Sequence, residues 1–242
     1  MGYTVNRLLE IARAEIGYHE KNSDKNLDSK TASNDGSGNH TKYAWDLHAA
    51  GYYNGDKCGF AWCDVFVDWC FFQLCGGDAD KAQEMQSQSG PYGAGCGFSA
   101  QYYKKAGQYF SDPQPGDQIF FGSGSTYTHT GIVEAVDADT VTTIEGNTSN
   151  QVARLAYKRT DRSILGYGRP IYDEEEREVE TVETMEKRYH KLEELPTWAQ
   201  PEVQELMDAG ALKGDQNGDL DLSLDMVRVM LVTKRYTDKG AN

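Results

Sequence analysis

Four residues in this sequence combine types and an order suited to attack on an amide carbonyl: Cys63, His129, Glu145 and Asn147. Cys63 follows Trp62 at the predicted start of a strongly apolar helix, where unsatisfied backbone N–H groups and the helix dipole favour negative charge and hence a thiolate. His129 opens a predicted strand, His129-Thr-Gly-Ile-Val-Glu134, and Glu145 and Asn147 close the next one. The chemistry is complete on paper. A thiolate attacks the carbonyl, an imidazolium returns the proton to the leaving amine, and a carboxylate or amide fixes the ring. Backbone N–H groups at the helix start, that of Cys63 included, would hold the oxyanion, with Tyr52 or Tyr53 as a side-chain candidate for the same task. Trp62 beside the nucleophile and Tyr127 just ahead of the histidine are the candidates for contacting substrate.

These residues need a frame of helices followed by a sheet. Val5, Leu8, Leu9, Ala12 and Ile16, then Gly17, fit an amphipathic helix with a glycine stop. Residues 22–41 are polar and read as a loop, and Tyr43–Ala50 as a second helix. The run from Trp62 to Cys75 is apolar on nearly every face, so its helix belongs in the middle of a domain. Residues 90–97 read as a glycine-rich loop, with a short helix over Ser99–Ala106. Cys70 and Cys75 read as core residues, Cys58 and Cys96 as loop thiols.

After Pro115-Gly116-Asp117 the pattern turns to strands: Gln118–Gly122, His129–Val136, Val141–Asn147, Val152–Lys158 and Leu165–Tyr172. Helices first and an antiparallel sheet second is an α+β arrangement. A three- or five-residue hairpin turn after Val136 places His129 opposite Asn147, with Glu145 diagonal to it; a four-residue turn would flip the face.

Composition removes other classes. The net charge of −14 argues against nucleic acid or an anionic membrane as the main partner. No apolar run is long enough for a spanning helix. The five cysteines, spaced five, seven and five at 58, 63, 70 and 75 with another at 96, lack a C-x-x-C pair, and no H-E-x-x-H or nucleotide-binding glycine motif is present. The opening residues lack the basic head and apolar stretch of a secretory signal, which implies free thiols in a reducing cytoplasm. Charge divides the chain, with −5 over residues 1–172 and −9 over 173–242. The expected organisation is a domain at 1–172, an acidic linker at 173–188 and a small helical module at 189–242.

The stretches Ala14-Glu-Ile-Gly17, Trp62-Cys63-Asp64-Val65-Phe66-Val67-Asp68-Trp69-Cys70, Pro115-Gly116-Asp117-Gln-Ile-Phe-Phe121, His129-Thr-Gly-Ile-Val133 and Ile144-Glu145-Gly146-Asn147 resemble the CHAP family, the cysteine, histidine-dependent amidohydrolases/peptidases of the papain-like superfamily. The resemblance spans about residues 3–172. It implies a papain-like fold with Cys63 as nucleophile, His129 as general base, and Glu145 with Asn147 as the orienting pair. It also implies cleavage of peptidoglycan amide bonds, by an amidase or a stem or cross-bridge endopeptidase. The organism-level expectation is a phage or prophage endolysin, cytoplasmic until a holin releases it to the host wall. Some relatives hold calcium just before the nucleophile. Here Asn54 and Asp56 match part of that pattern, whereas Cys58 and Phe60 stand at other ligand positions, so no cofactor is expected.

Residues 189–238 read as two helices about a glycine-rich turn, with Ser223 as the N-cap of the second. Trp198-Ala199, Gly210, Gly214, Gly218 and Arg228 resemble an S-layer-homology repeat, with Val227 and Met230 in place of its usual Thr and Glu. Asp215, Asn217, Asp219 and Asp221 alternate as in a calcium loop, but Met226 replaces the closing Glu and a polar turn is expected. The apolar surplus from Leu224 to Val232 points to burial against the first domain or in a homo-oligomer. Two alternatives stand beside the hydrolase: a wall-binding protein with an idle catalytic set, and a thiol amidohydrolase of a non-wall substrate.

Overall fold

In the computed structural model the described residues are 2–89, 94–173, 188–215 and 218–239. The chain divides into two units, Met1–Glu175 and Glu176–Asn242. The acidic linker expected at 173–188 lies, apart from its end residues, outside the described residues.

The first unit opens with α1 (Val5–Glu15), whose N-terminus is capped by the Thr4 hydroxyl accepting from the Arg7 N–H. Helix α2 (Lys42–Ala49) is capped in the same way by Thr41. Helix α3 (Cys63–Leu74) is buried on every side apart from Gln73, as its apolar sequence requires. Helix α4 (Ala79–Met85), which the polar sequence does not announce, is capped by Asp78 and buries Ala82 and Met85. Helix α5 runs over Cys96–Ala106 and ends at Gly107, whose φ of 72° suits a residue without Cβ. It begins three residues before the predicted Ser99, so Cys96 is not a loop thiol. It is the first residue of a helix, and it is buried.

The strands β1 (Tyr109–Phe110), β2 (Gln118–Ser123), β3 (Thr126–Val136), β4 (Thr140–Thr148), β5 (Gln151–Lys158) and β6 (Ile164–Gly168) form one antiparallel sheet in the order β1-β6-β2-β3-β4-β5. One face carries Ile132, Ile144 and Val152 into the core built around α1 and α3, while Phe120 meets α5 through Tyr103. The other face has its own apolar cluster of Ile119, Phe121, Val133, Val141 and Tyr167. The architecture is α+β, as expected for a papain-like domain.

The β3–β4 turn shows how register is set. Val136 pairs with Val141, which closes a four-residue turn, the length that should reverse the faces. A bulge at Glu134 undoes the reversal: pairing shifts between Val133 and Ala135, so that Val133 meets Thr143 and Ile132 meets Ile144. Continued along the strands, that register sets His129 opposite Asn147 and Gly131 opposite Glu145. The bulged Glu134 is held by Arg154 at 2.5 and 2.7 Å and by Arg13 at 2.6 Å.

The second unit contains a 3₁₀ turn at Leu192–Glu194, α6 (Gln200–Asp208) and α7 (Leu224–Lys239) around a small core of Tyr189, Leu195, Ala199, Val203, Leu222, Val227 and Leu231. The Ser223 hydroxyl accepts the Met226 N–H at 3.2 Å as the α7 cap. In the turn before it, the Asp215 carboxylate accepts the Asp219 N–H at 2.9 Å; Asn217 lies outside the described residues. Met226 and Val229 are exposed, whereas Val232 lies among residues whose side chains are not described. Among the described residues no helix is long and apolar enough to cross a membrane.

Candidate active site

Helix α3 starts at Cys63, with Trp62 in the cap position and no side-chain cap. Its first turn is tied down by Asp64, 2% exposed, whose carboxylate accepts from the Gly95 N–H at 2.8 Å, the Ser99 hydroxyl at 2.9 Å and Gln118 Nε2 at 2.9 Å. Gln118 Nε2 also donates to Thr130 Oγ1 at 3.0 Å, and the Thr130 hydroxyl donates to the Ile119 carbonyl at 2.7 Å. This buried chain links the residue after Cys63 to the residue after His129. Burial raises the Asp64 pKa, and its three donors offset part of that rise.

His129 Nε2 lies 2.8 Å from Glu145 Oε2. The carboxylate of Glu145 is 1% exposed and saturated with donors: Thr143 Oγ1 at 2.5 Å, Tyr157 Oη at 3.2 Å and Thr148 Oγ1 at 3.3 Å, besides the ring. A carboxylate only accepts, so the Nε2 it faces carries the proton in the neutral ring. That leaves Nδ1 as the basic nitrogen, and among the described residues it makes no hydrogen bond. Phe121 lies against the ring with centroids 5.9 Å apart, and Tyr157 against Phe121 at 4.8 Å. Two glycines make room. A Cβ on Gly131 would stand 2.5 Å from Glu145 Cγ, and one on Gly146 would stand 2.5 Å from Phe66 Cβ and 2.8 Å from the Trp62 ring. Gly131 lets Glu145 cross β3 to reach His129, and Gly146 lets α3 sit directly on β4.

Alternation assigns the faces. Thr130 and Gly146 point toward α3, so His129 and Glu145 project from the opposite face, beside Phe121. No hydrogen bond joins the Cys63 thiol to the His129 ring among the described residues. The neighbour of the Cys63 thiol is instead Cys96, at the start of α5. Cys96 raises the Cys63 pKa most, followed by burial and the Asp64 carboxylate, and these outweigh the helix N–H groups expected to favour a thiolate. The neighbouring Cys96 thiol is shifted down, chiefly by its interaction with the Cys63 side chain.

The remaining expected residues divide clearly. Asn147 makes no side-chain hydrogen bond among the described residues. Its φ of 58° lies in the left-handed region, where the β4–β5 ladder breaks, and Thr148 Oγ1 approaches the ring at 3.4 Å in its place. Trp62 is fully buried and donates Nε1–H to Glu20 at 2.6 Å, so it forms floor beneath the site and offers no surface to substrate. The Tyr53 hydroxyl donates to Asp68 at 2.6 Å, and Tyr52 accepts from Gln86 at 2.9 Å; both are buried, which removes them as oxyanion donors. Tyr127 lines an open groove of about 700 Å³ with Gly95, Cys96, Phe98, Gln101 and Thr126. A bulge at Thr128 turns Tyr127 away from the His129 face and toward Phe120 and Lys104. Sequence reasoning missed Asp64, Cys96, Gln118, Thr130 and Thr148. Asp64 alone gave a signal, as the carboxylate directly after the cysteine.

Residues 51–147 match the family model of the CHAP domain, a stretch that begins ahead of the cysteine and ends at Asn147. This part of the chain is a CHAP domain, and the match is narrower than the resemblance over 3–172. No curated protein matches the chain. Among solved structures, the crystal structure of Ly7917 aligns with 16% identity and a TM-score of 0.40, covering 69% of this chain and 62% of that one. The crystal structure of Ly7917 with the hydrolyzing product of MDP aligns with 17% identity and a TM-score of 0.41 over the same shares. This chain thus spans less than two thirds of that protein's length.

Proposed function

We propose that the first unit is a cysteine-dependent peptidoglycan hydrolase that cleaves an amide bond of the bacterial wall. The observation that carries the reading is the His129–Glu145 pair within a CHAP domain, in which a buried carboxylate saturated with donors holds a half-buried ring and leaves Nδ1 as a free base. The reaction requires the His129 ring and the Cys63 thiol, which share no hydrogen bond among the described residues, to come within reach of each other; Nδ1 then takes the thiol proton as sulfur bonds to the carbonyl carbon. Backbone N–H groups at the start of α3 hold the oxyanion. The C–N bond then breaks, the amine leaves with the proton from His129, and water delivered through the same base hydrolyses the thioester. The groove walled by Cys96, Phe98 and Tyr127 lies on the thiol side and is the proposed path for the wall peptide.

Loss of turbidity of purified walls tests this: Cys63→Ala and His129→Ala are expected to abolish it with the fold retained, and substantial residual activity in either would refute it. Mass spectrometry of the released fragments separates amidase from endopeptidase, since a new amino end on L-Ala marks the former. In the same reading the chain is a phage or prophage endolysin stored in the cytoplasm and released by a holin. Expressed in a susceptible host, it should lyse cells only once the inner membrane is opened. The unit after residue 188 is read as a wall-binding or self-associating module resembling an S-layer-homology repeat. Sedimentation with purified walls and light scattering check the two roles.

One observation favours the alternative of a wall-binding protein with an idle catalytic set: the thiol and the ring belong to opposite faces of the sheet, and the thiol is paired with Cys96. Wall sedimentation without turbidity loss would establish that reading.

A further inference from the structure

The geometry points to a divalent transition-metal site, of the zinc class, formed by Asp24, His40 and Cys58. A carboxylate oxygen, an imidazole nitrogen and the thiol sulfur lie within 4.8 Å of one another. Each comes from a different segment: Asp24 from within the long polar loop, His40 from its end, and Cys58 from the segment ahead of α3. Mixed O, N and S donors select zinc-class ions over calcium, which takes six or more oxygens.

The site is built as well as assembled. The Gly59 N–H donates to the Asn39 carbonyl at 3.0 Å, and His40 exchanges backbone hydrogen bonds with Lys21 at 2.8 and 3.2 Å, which fixes the two outer segments against each other. His40 Nδ1 meets Asp24 Oδ1 at 2.6 Å, a contact in which a cation would replace a proton. On binding, the thiol gives up its proton to solvent and the thiolate bonds the metal. Three protein ligands leave the fourth position of a tetrahedral ion to water. The ion would clamp the 22–41 loop onto the segment leading into α3.

The test uses the full chain, reduced and stripped with a chelator, titrated with Co²⁺ and followed by its near-ultraviolet thiolate-to-cobalt charge-transfer band. One equivalent should generate the band, and Zn²⁺ should bleach it. Cys58→Ser should abolish the band, Asp24→Asn should weaken Co²⁺ binding at least tenfold, and Cys63→Ala should leave the titration unchanged. No band in the unmodified chain, or a band that survives Cys58→Ser, overturns the site. Because Asp24 is exposed, its variant decides the matter even if Cys58→Ser fails to fold: unchanged affinity there also overturns it.

Discussion

Gly131→Ala changes no functional group, yet it should disable the candidate base. The added Cβ would stand 2.5 Å from Glu145 Cγ and 3.0 Å from the Ile144 carbonyl oxygen. Non-bonded carbons rest at roughly 3.5–4.0 Å, so Glu145 must retreat by about 1 Å. It has no slack to do so. Its carboxylate is buried and engaged by four side chains, and a 2.8 Å contact stretched by about 1 Å is no longer a hydrogen bond. Leaving a buried acceptor short of a partner costs about 1–3 kcal/mol of stability. Misplacing the orienting group by about 1 Å costs on the order of 100-fold in rate. Two measurements check this: turbidity loss of purified walls, and nitrogen NMR shifts of the His129 ring, which report whether Nε2 still carries the proton. Glu145→Gln combined with Gly131→Ala should be little worse than either alone, because both act on one contact. A Gly131→Ala protein with full activity and an unchanged ring tautomer would refute the argument that this glycine exists to let Glu145 cross the strand.

Cys96→Ala removes the largest influence holding the Cys63 thiol protonated, so the pH profile of Cys63 alkylation, read by peptide mass spectrometry, should move to lower pH; an unmoved profile contradicts the pairing. Gln118→Leu deprives both Asp64 and Thr130 of a buried partner and should cost about 1–3 kcal/mol in urea unfolding, whereas a loss below about 0.5 would mean the chain is not structural. Glu134 is raised by burial but lowered more by Arg154 and Arg13, for a net depression below 4.5. Its stabilising contribution is therefore complete above the unfolded pKa and lost as pH falls through the folded one. Glu134→Gln should flatten the acid limb of the stability curve below about pH 4.5 and leave a smaller difference to be made up there than at neutral pH.

The large elements were legible because their patterns are strong. The all-round apolar run after Trp62 admits only a buried helix, and the β-branched segments after Pro115 mark β2 to β5 within a few residues of their observed ends. What was illegible depends on single contacts. Helix α4 carries only two buried side chains, and β1 is two residues long, so neither leaves a periodic trace. The glycines around Cys96 read as loop, whereas Gly95 is the cap fastened to Asp64 and the helix begins at the cysteine. Asn147 has the residue type of a ring-orienting amide. Its left-handed backbone spends that residue type on the chain turn, and the next residue reaches the ring. Trp62 has the residue type of a substrate platform, but its indole N–H is satisfied inside the core.

The bulge at Glu134 shows most clearly where pattern reading ends. A four-residue turn implies the wrong face for His129, and only the extra residue in β3 restores it. That residue is a buried carboxylate gripped by two arginines from α1 and β5, so the ion pairs that hold the bulge also hold the register of the site. The two halves of the site then differ in kind. The His129–Glu145 half is saturated with hydrogen bonds and its geometry is fixed. The Cys63 half faces a second thiol and a carboxylate, both of which keep its proton on. Reactivity of this site should therefore be governed by whatever relieves the thiol, and perturbations around Cys96 and Asp64 should move its pH dependence further than perturbations around Thr143 or Tyr157.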